Sequence, residues 1–89
     1  MSRHQKLIER FSAVPIPRDF RFAELVTVLA GFGFVMHEHG GGSSHKSFIY
    51  QRREGGEHRI VCARPHPGGV LKAYQVREIR LKLRQWGFL

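Results

Sequence analysis

The chain has 89 residues and a formal charge of +8 at pH 7, since 15 lysines and arginines outnumber 7 acidic residues. This length allows one small domain, and a hydrophobic content of 42% excludes a disordered chain. The charge predicts a polyanionic partner such as nucleic acid, although a solvated basic surface or an acidic protein partner would also account for it. The single cysteine, Cys62, excludes an intrachain disulfide and is interpreted as a small core residue.

The first segment has helical periodicity and is followed by a proline-containing connector. Its apolar residues recur at helical spacing: Leu7, Ile8 and Phe11. They predict a short helix over about residues 2–12, and two prolines then make residues 12–19 a connector. We assign residues 1–19 to an N-terminal extension and residues 20–89 to the domain itself.

The next segments read as one helix and two strands. Apolar residues on one helical face are Phe22, Leu25, Val26 and Leu29. The pattern predicts a helix that ends at Gly31 or Gly33. Strands are predicted at about residues 34–37 and 45–53, with a glycine run between them.

The C-terminal part adds a third strand and a last helix. A turn over residues 54–57 precedes a strand at about 58–63, and an irregular loop leads to a helix over about 73–86 that Gly87 ends. The last helix carries basic residues predicted to form one surface: Arg77, Arg80, Lys82 and Arg84. This surface is a solvated face, an RNA-contact face or a docking face for an acidic partner. The order helix, three antiparallel strands, helix predicts an α+β fold with helices on one face of the sheet. No apolar stretch is long enough to span a bilayer, so we expect a cytoplasmic protein without membrane contacts.

The most informative stretch lies between the first two strands. It joins a glycine run to two hydroxyls, an imidazole and a cation: Gly40, Gly41, Gly42, Ser43, Ser44, His45 and Lys46. RNA cleavage needs a base for the 2′-OH proton, an acid for the leaving 5′-oxygen and donors for the charged phosphorane, and a histidine can act as base or acid at neutral pH. Lys46, Ser44 and the backbone N–H groups of Gly42 and Ser43 are candidates to hold the phosphate. The alternative is that His45 is an ordinary surface residue beside a glycine loop.

Strand alternation predicts the direction in which His45 points. Lys46, Phe48 and Tyr50 share one face of the second strand, and His45 shares the other face with Ser47, Ile49 and Gln51. If Phe48 and Tyr50 pack on the helices, His45 lies on the open face of the sheet.

Further basic residues are candidates for contacts with an RNA backbone. They are Arg52, Arg59, Arg64, His66 and Lys72. His66 stands in a proline-fixed loop before a helix N-terminus, so it is either a second acid/base group or a residue of a rigid turn. The pair His37 and His39 suggests a metal site, but the chain lacks Cys-x-x-Cys and His-Glu-x-x-His spacings, and we expect no metal or other cofactor.

An ordered set of short motifs resembles the HicA toxin family of bacterial type II toxin–antitoxin modules. The resemblance covers about residues 20–86. Its motifs are Glu24-Leu25-Val26 with Gly33-Phe34, then Gly42-Ser43-Ser44-His45 with Phe48, then Arg64-Pro65-His66-Pro67-Gly68 with Leu71-Lys72. The chain departs from the pattern in its N-terminal extension and in a glycine–serine loop longer than the minimal motif.

The resemblance implies a fold, an activity and a partner. It implies a double-stranded-RNA-binding-domain-like fold and a metal-independent mRNA interferase with His45 as the catalytic histidine. It also implies a HicB-type antitoxin that covers the site, with homo-oligomers only through the antitoxin complex. Two alternatives remain: a non-catalytic RNA-binding module of the same fold, and a protein whose basic surface only docks an acidic partner.

Overall fold

A computed structural model describes residues 3–38 and 45–89 of the chain. The helices in this part are α1 (Arg3–Phe11), α2 (Phe22–Phe32) and α3 (Ala73–Gln85). The strands are β1 (Val35–Glu38), β2 (His45–Gln51) and β3 (Glu57–Ala63). The order α1–α2–β1–β2–β3–α3 confirms the predicted helix–three strands–helix arrangement with an additional helix in front.

The predicted strand ends were wrong by small amounts. β1 runs one residue later than predicted, to Glu38, and β2 ends at Gln51 because Arg52 already belongs to the turn. The N–H of Arg52 donates to the carbonyl of Gly56 at 3.0 Å, which closes the turn. Gly55 and Gly56 both take positive φ angles, of 99° and 79°, so the chain reverses early and Glu57 joins β3 instead of the turn.

The three strands form one antiparallel sheet in the order β1–β2–β3. Across it, Met36, Phe48 and Ile60 lie in one row, and Phe48 and Ile60 are buried under the helices. The neighbouring row is His37, Ser47 and Val61: Ser47 on the central strand is buried, but His37 and Val61 on either side of it are exposed, Val61 by 50%. One face of the sheet is therefore covered by helices and the other is open, as the alternation in β2 predicted.

The core lies between the covered face of the sheet and the helices. α2 contributes Phe22, Leu25, Val28 and Leu29, and α3 contributes Val76, Ile79 and Leu83. The buried Cys62 joins this cluster from β3, which confirms its interpretation as a core residue. α2 ends at Gly33, one of the two positions predicted for its end, because Gly33 takes a φ of 105° that stops the helix.

The N-terminal helix packs into the same core. Leu7 and Phe11 are buried with the α2 side chains, and His4 Nε2 lies 3.0 Å from the carbonyl oxygen of Val28. A Cβ at Gly31 would overlap the His4 ring, so the glycine permits this close packing of α1 on α2. The residues between α1 and α2 have no regular structure, as the prolines predicted.

The predicted basic surface of α3 needs one correction. Arg80 is only 7% exposed, and its guanidinium donates to the carbonyls of Ala13, at 3.1 Å, and Ser12, at 3.4 Å. It therefore holds the connector against α3 instead of facing solvent. None of the helices in the described part of the chain has the length and apolar character needed to cross a bilayer.

Candidate active site

His45 is the first residue of β2 and is exposed. It pairs in register with Ala63, the last residue of β3. Alternation from the buried Phe48 places His45 on the open face with Ser47 and Ile49, as predicted.

A cleft of about 190 Å³ separates His45 from the first half of α3. Two walls of this His45 cleft come from the sheet end and from the helix: His45, Val61 and Ala63 on one side, and Tyr74, Gln75 and Glu78 on the other. Tyr74 and Glu78 are exposed and lie one helical turn apart, so both side chains reach the same opening. The sequence analysis missed these three α3 residues, because only the packing of α3 beside β3 brings them to His45.

Gln75 fixes the geometry between the two walls. Its side chain is buried, its Nε2 donates to the carbonyl of Ala63 at 3.0 Å, and its Oε1 accepts the N–H of Lys72 at 2.9 Å. The second bond closes the first turn of α3 in the way that a glutamine at the third helical position does. Gln75 thus links the start of α3 to the residue that pairs with His45. The Lys72-x-x-Gln75 spacing before an apolar helical pattern is the local signal that indicates its capping role.

Cys62 also borders the cleft but has no reactive thiolate. Burial raises the pKa of its thiol to about 11, so the group is protonated at neutral pH. The amide of Gln75 lies 3.7 Å from its sulfur. Cys62 is a packing residue here and not a nucleophile.

Lys46 follows His45 in the chain but projects to the other face of the sheet. Its Nζ lies 3.5 Å from a carboxylate oxygen of Glu38, its register partner on β1. The structure therefore does not bring Lys46 to the imidazole. The predicted phosphate-holding residues Gly42, Ser43 and Ser44, and the second histidine of the suggested metal pair, His39, lie outside the described residues.

The predicted arginines are distributed along the sheet. Arg59 lies on the open face, four residues before Ala63 and so about 13 Å along β3 from it. Its Nη2 contacts Glu57 Oε2 at 2.9 Å. Arg52 is in the β2–β3 turn, where its Nε lies 3.7 Å from a carboxylate oxygen of Glu54.

Three further candidates lie in the connection between β3 and α3. Arg64 directly follows Ala63, and Lys72 directly precedes α3, so both flank the chain segments that form the His45 cleft. Arg64 packs its guanidinium against Gly69, and His66 is exposed in the same loop. Within residues 3–38 and 45–89, no three His, Cys, Asp or Glu side chains are grouped so that they could hold a metal ion.

Comparison with known proteins identifies the family. A family model described as the HicA toxin of bacterial toxin–antitoxin systems matches residues 22–88. No curated protein and no solved structure matches the chain. The matched region runs from the first residue of α2 through all three strands and α3, and it includes His45 and the other residues of its cleft. The chain therefore belongs to the HicA family of bacterial toxins, as its motifs predicted.

Proposed function

We propose that the protein is a metal-independent endoribonuclease that cleaves mRNA with His45 and so inhibits translation and growth. Membership of the HicA toxin family supports the toxin role and implies an antitoxin partner, which we propose to be of the HicB type. The observation that carries the proposal is the exposed imidazole at the mouth of a cleft whose other wall is the first half of α3. A protein of this size cannot enclose an RNA chain in a deep site. Because His45 is exposed in an open cleft, an RNA backbone lying across the surface can reach it.

The proposed reaction is transfer of the phosphoryl group to the neighbouring ribose hydroxyl. His45 accepts the 2′-OH proton, the 2′-oxygen bonds to phosphorus, and the bond to the 5′-oxygen breaks. The 5′-oxygen takes up a proton, which gives a 2′,3′-cyclic phosphate and a free 5′-hydroxyl. His45 thus performs the first of the two proton transfers. Tyr74 and Glu78 are the other exposed titratable groups of the cleft and are candidates to supply the proton to the 5′-oxygen.

Basic residues around the cleft are proposed to hold the RNA backbone. Arg59 on the open face, and Arg64 and Lys72 beside the cleft, offer cations at separate points along an extended strand. Gly42, Ser43 and Ser44 are proposed to supply donors for the phosphate, and Lys46, Arg52 and His66 further contacts along the RNA backbone. We propose residues 20–89 as the RNA-cleaving domain and residues 1–19 as an extension of it, acting in the cytoplasm.

The test is RNA cleavage by the purified protein in EDTA, compared with His45→Ala. Loss of the acid/base group should reduce the rate by about 100-fold or more. His37→Ala is the matched control, because His37 is also exposed on the open face, on β1 opposite Ser47. The control should keep at least most of the wild-type rate, and circular dichroism should show the same fold for all three proteins.

Two results would contradict the proposal. One is a folded His45→Ala protein that still cleaves RNA at the wild-type rate. The other is wild-type protein that leaves RNA intact after long incubation but binds it in a salt-sensitive way, which is the behaviour of a non-catalytic RNA-binding module. Cleavage that disappears in EDTA and returns with a divalent cation would retain the nuclease and reject its metal independence.

A further inference from the structure

A second groove, larger than the His45 cleft, lies between the connector and α3. It has a volume of about 500 Å³. Its apolar lining consists of Val14, Pro15, Ile16 and Leu81, and its basic lining consists of Arg77, Arg80 and Arg84. We call it the connector groove.

The connector groove is held open by bonds inside the protein. Arg80 is buried and donates to the carbonyls of Ala13 and Ser12, directly before the apolar wall. Phe11, directly before Ser12, is completely buried, and so is Phe20 at the other end of the connector. The wall is thus positioned against α3 before any partner arrives, which lowers the ordering cost of binding.

The groove exposes apolar side chains in a basic setting. Val14 is 87% exposed and Leu81 is 56% exposed, although both are apolar. Arg77 and Arg84 lie one helical turn on either side of Leu81, and across residues 3–38 and 45–89 neither of them forms an ion pair. Burial, and then the nearby charge of Arg84, lowers the pKa of Arg80.

We propose that the connector groove binds the antitoxin, through a segment whose apolar side chains cover Val14 and Leu81 and whose carboxylates pair with Arg77 and Arg84. The inference rests on the proposed function only for the identity of the partner. Protein–protein interfaces typically have an apolar centre and are enriched in arginine, as this groove is. Burying the exposed Val14 and Leu81 side chains against a partner is favourable. RNA phosphates would satisfy the arginines but leave both apolar side chains in water. A second copy of this chain would bring a further charge of +8 against the groove.

The groove is distinct from the His45 cleft. No described residue lines both cavities: Tyr74 and Glu78 of α3 line the His45 cleft, and Arg77, Leu81 and Arg84 line the connector groove. The wall formed by residues 14–16 precedes residue 22, where the family match begins. The proposed contact is therefore one that the N-terminal extension contributes to this chain, in addition to whatever covers the active site.

The experiment measures binding of the full-length chain to a purified HicB-type antitoxin, the partner proposed above. All proteins carry His45→Ala, so that binding is measured without cleavage. The double variant Arg77→Glu/Arg84→Glu and the single variant Leu81→Asp should each weaken binding about 10-fold or more. Arg3→Glu/Arg53→Glu makes the same charge change at exposed positions outside the groove and should change the affinity less than about 3-fold. All substituted positions are exposed, and thermal unfolding checks that each variant folds.

Three outcomes would overturn the inference. Antitoxin affinity that is equal in the groove variants and the control would exclude the groove as the contact. Loss of RNA affinity with full antitoxin affinity would make it a nucleic-acid surface. A wild-type dimer in sedimentation that Leu81→Asp converts to monomers, with antitoxin binding unchanged, would assign the groove to a second copy. If antitoxin binding depends on the groove but the wild-type protein does not cleave RNA, the inference stands and the proposed nuclease function fails.

Discussion

Tyr74 places an aromatic ring at the opening of the cleft that His45 borders. The ring is 52% exposed, so it offers a face on which a base of the bound RNA can stack. The buried Gln75 beside it bonds the helix start to Ala63, the register partner of His45, so the backbone that carries the ring is held beside the start of β2. Under the proposed function, Tyr74 is therefore a candidate to orient the nucleotide whose 2′-OH His45 deprotonates.

We expect Tyr74→Ala to weaken RNA binding by about 5- to 100-fold, which corresponds to the loss of one base–aromatic stack. Binding is measured by fluorescence anisotropy of a labelled single-stranded RNA on His45→Ala protein, which cannot cut the probe. Tyr74→Phe keeps the ring and should bind like wild type. If Tyr74→Ala also binds like wild type, the ring has no stacking role. Cleavage lost in Tyr74→Phe, at full affinity, would instead assign the hydroxyl to proton transfer.

At the scale of elements, the end of α2 depends on one glycine. Gly33 has a φ of 105°, its N–H donates to the carbonyl of Ala30, and the next N–H, of Phe34, donates to Leu29. A Cβ at this position would lie 3.2 Å from the ring of Tyr50 on β2. Gly33 therefore both ends the helix and allows β1 to begin beside β2.

We expect Gly33→Ala to reduce the free energy of unfolding by about 1–2 kcal/mol, the cost of a left-handed conformation with a side chain, with a further loss from the Tyr50 contact. Urea denaturation measures it. Gly87→Ala is the matched control, since Gly87 has a φ of 84° but no atom within 4 Å of an added Cβ. The difference between the two variants isolates the ring contact. A Gly33→Ala protein as stable as wild type would contradict the assignment.

Sequence periodicity was sufficient for the elements because their signals are local. The apolar stripe of α2, the alternation in β2 and the position of Gly33 each depend on a few neighbouring residues. The early end of β2 was missed because two successive left-handed glycines, Gly55 and Gly56, place the reversal earlier in the chain, and composition alone does not specify this position. The motif around His45 could be found for the same reason, because its residues are consecutive. The cleft could not be found, because it joins segments that are distant in the chain.

Contacts between distant segments were not accessible to the sequence analysis. Arg80 looked like its exposed neighbours on α3, yet packing of the connector buries it and satisfies it with two carbonyls. Tyr74 and Glu78 looked like ordinary surface residues until α3 was placed beside β3. In both cases the decisive neighbour lies far along the chain, and helical spacing carries no information about it.

At the scale of the whole molecule, an ion pair ties the N-terminal helix to the rest of the domain. Arg10 on α1 donates to Glu24 on α2, and the other Glu24 oxygen accepts the N–H of Arg21 at 3.0 Å. Burial raises the pKa of Glu24, but the Arg21 hydrogen bond and the Arg10 guanidinium outweigh it, so the pKa lies below its usual value. The carboxylate therefore stabilises the folded state only while it is ionised.

The sign of the resulting pH dependence follows from this lowered pKa. The stabilisation is fully present above the unfolded-state pKa of about 4.3 and is lost as the pH falls through the lower folded-state pKa. We expect Glu24→Gln to reduce the free energy of unfolding by about 1 kcal/mol or less at pH 7, because the pair is partly exposed. The difference from wild type should shrink as the pH falls below about 4.3, which urea denaturation from pH 7 to pH 3 measures.

Asp19→Asn is the control, because it removes the other carboxylate near Arg10. The Asp19 oxygen lies 3.5 Å from the guanidinium and its side chain is 84% exposed, so the substitution should leave the stability nearly unchanged at each pH. Protonation of the carboxylates at low pH increases the repulsion among the excess cations in every variant. Only the difference in free energy of unfolding between Glu24→Gln and wild type therefore measures the contribution of the Arg10–Glu24 pair. A difference that stays constant across the titration would show that the carboxylate contributes hydrogen bonds and shape, and not its charge, to the docking of α1.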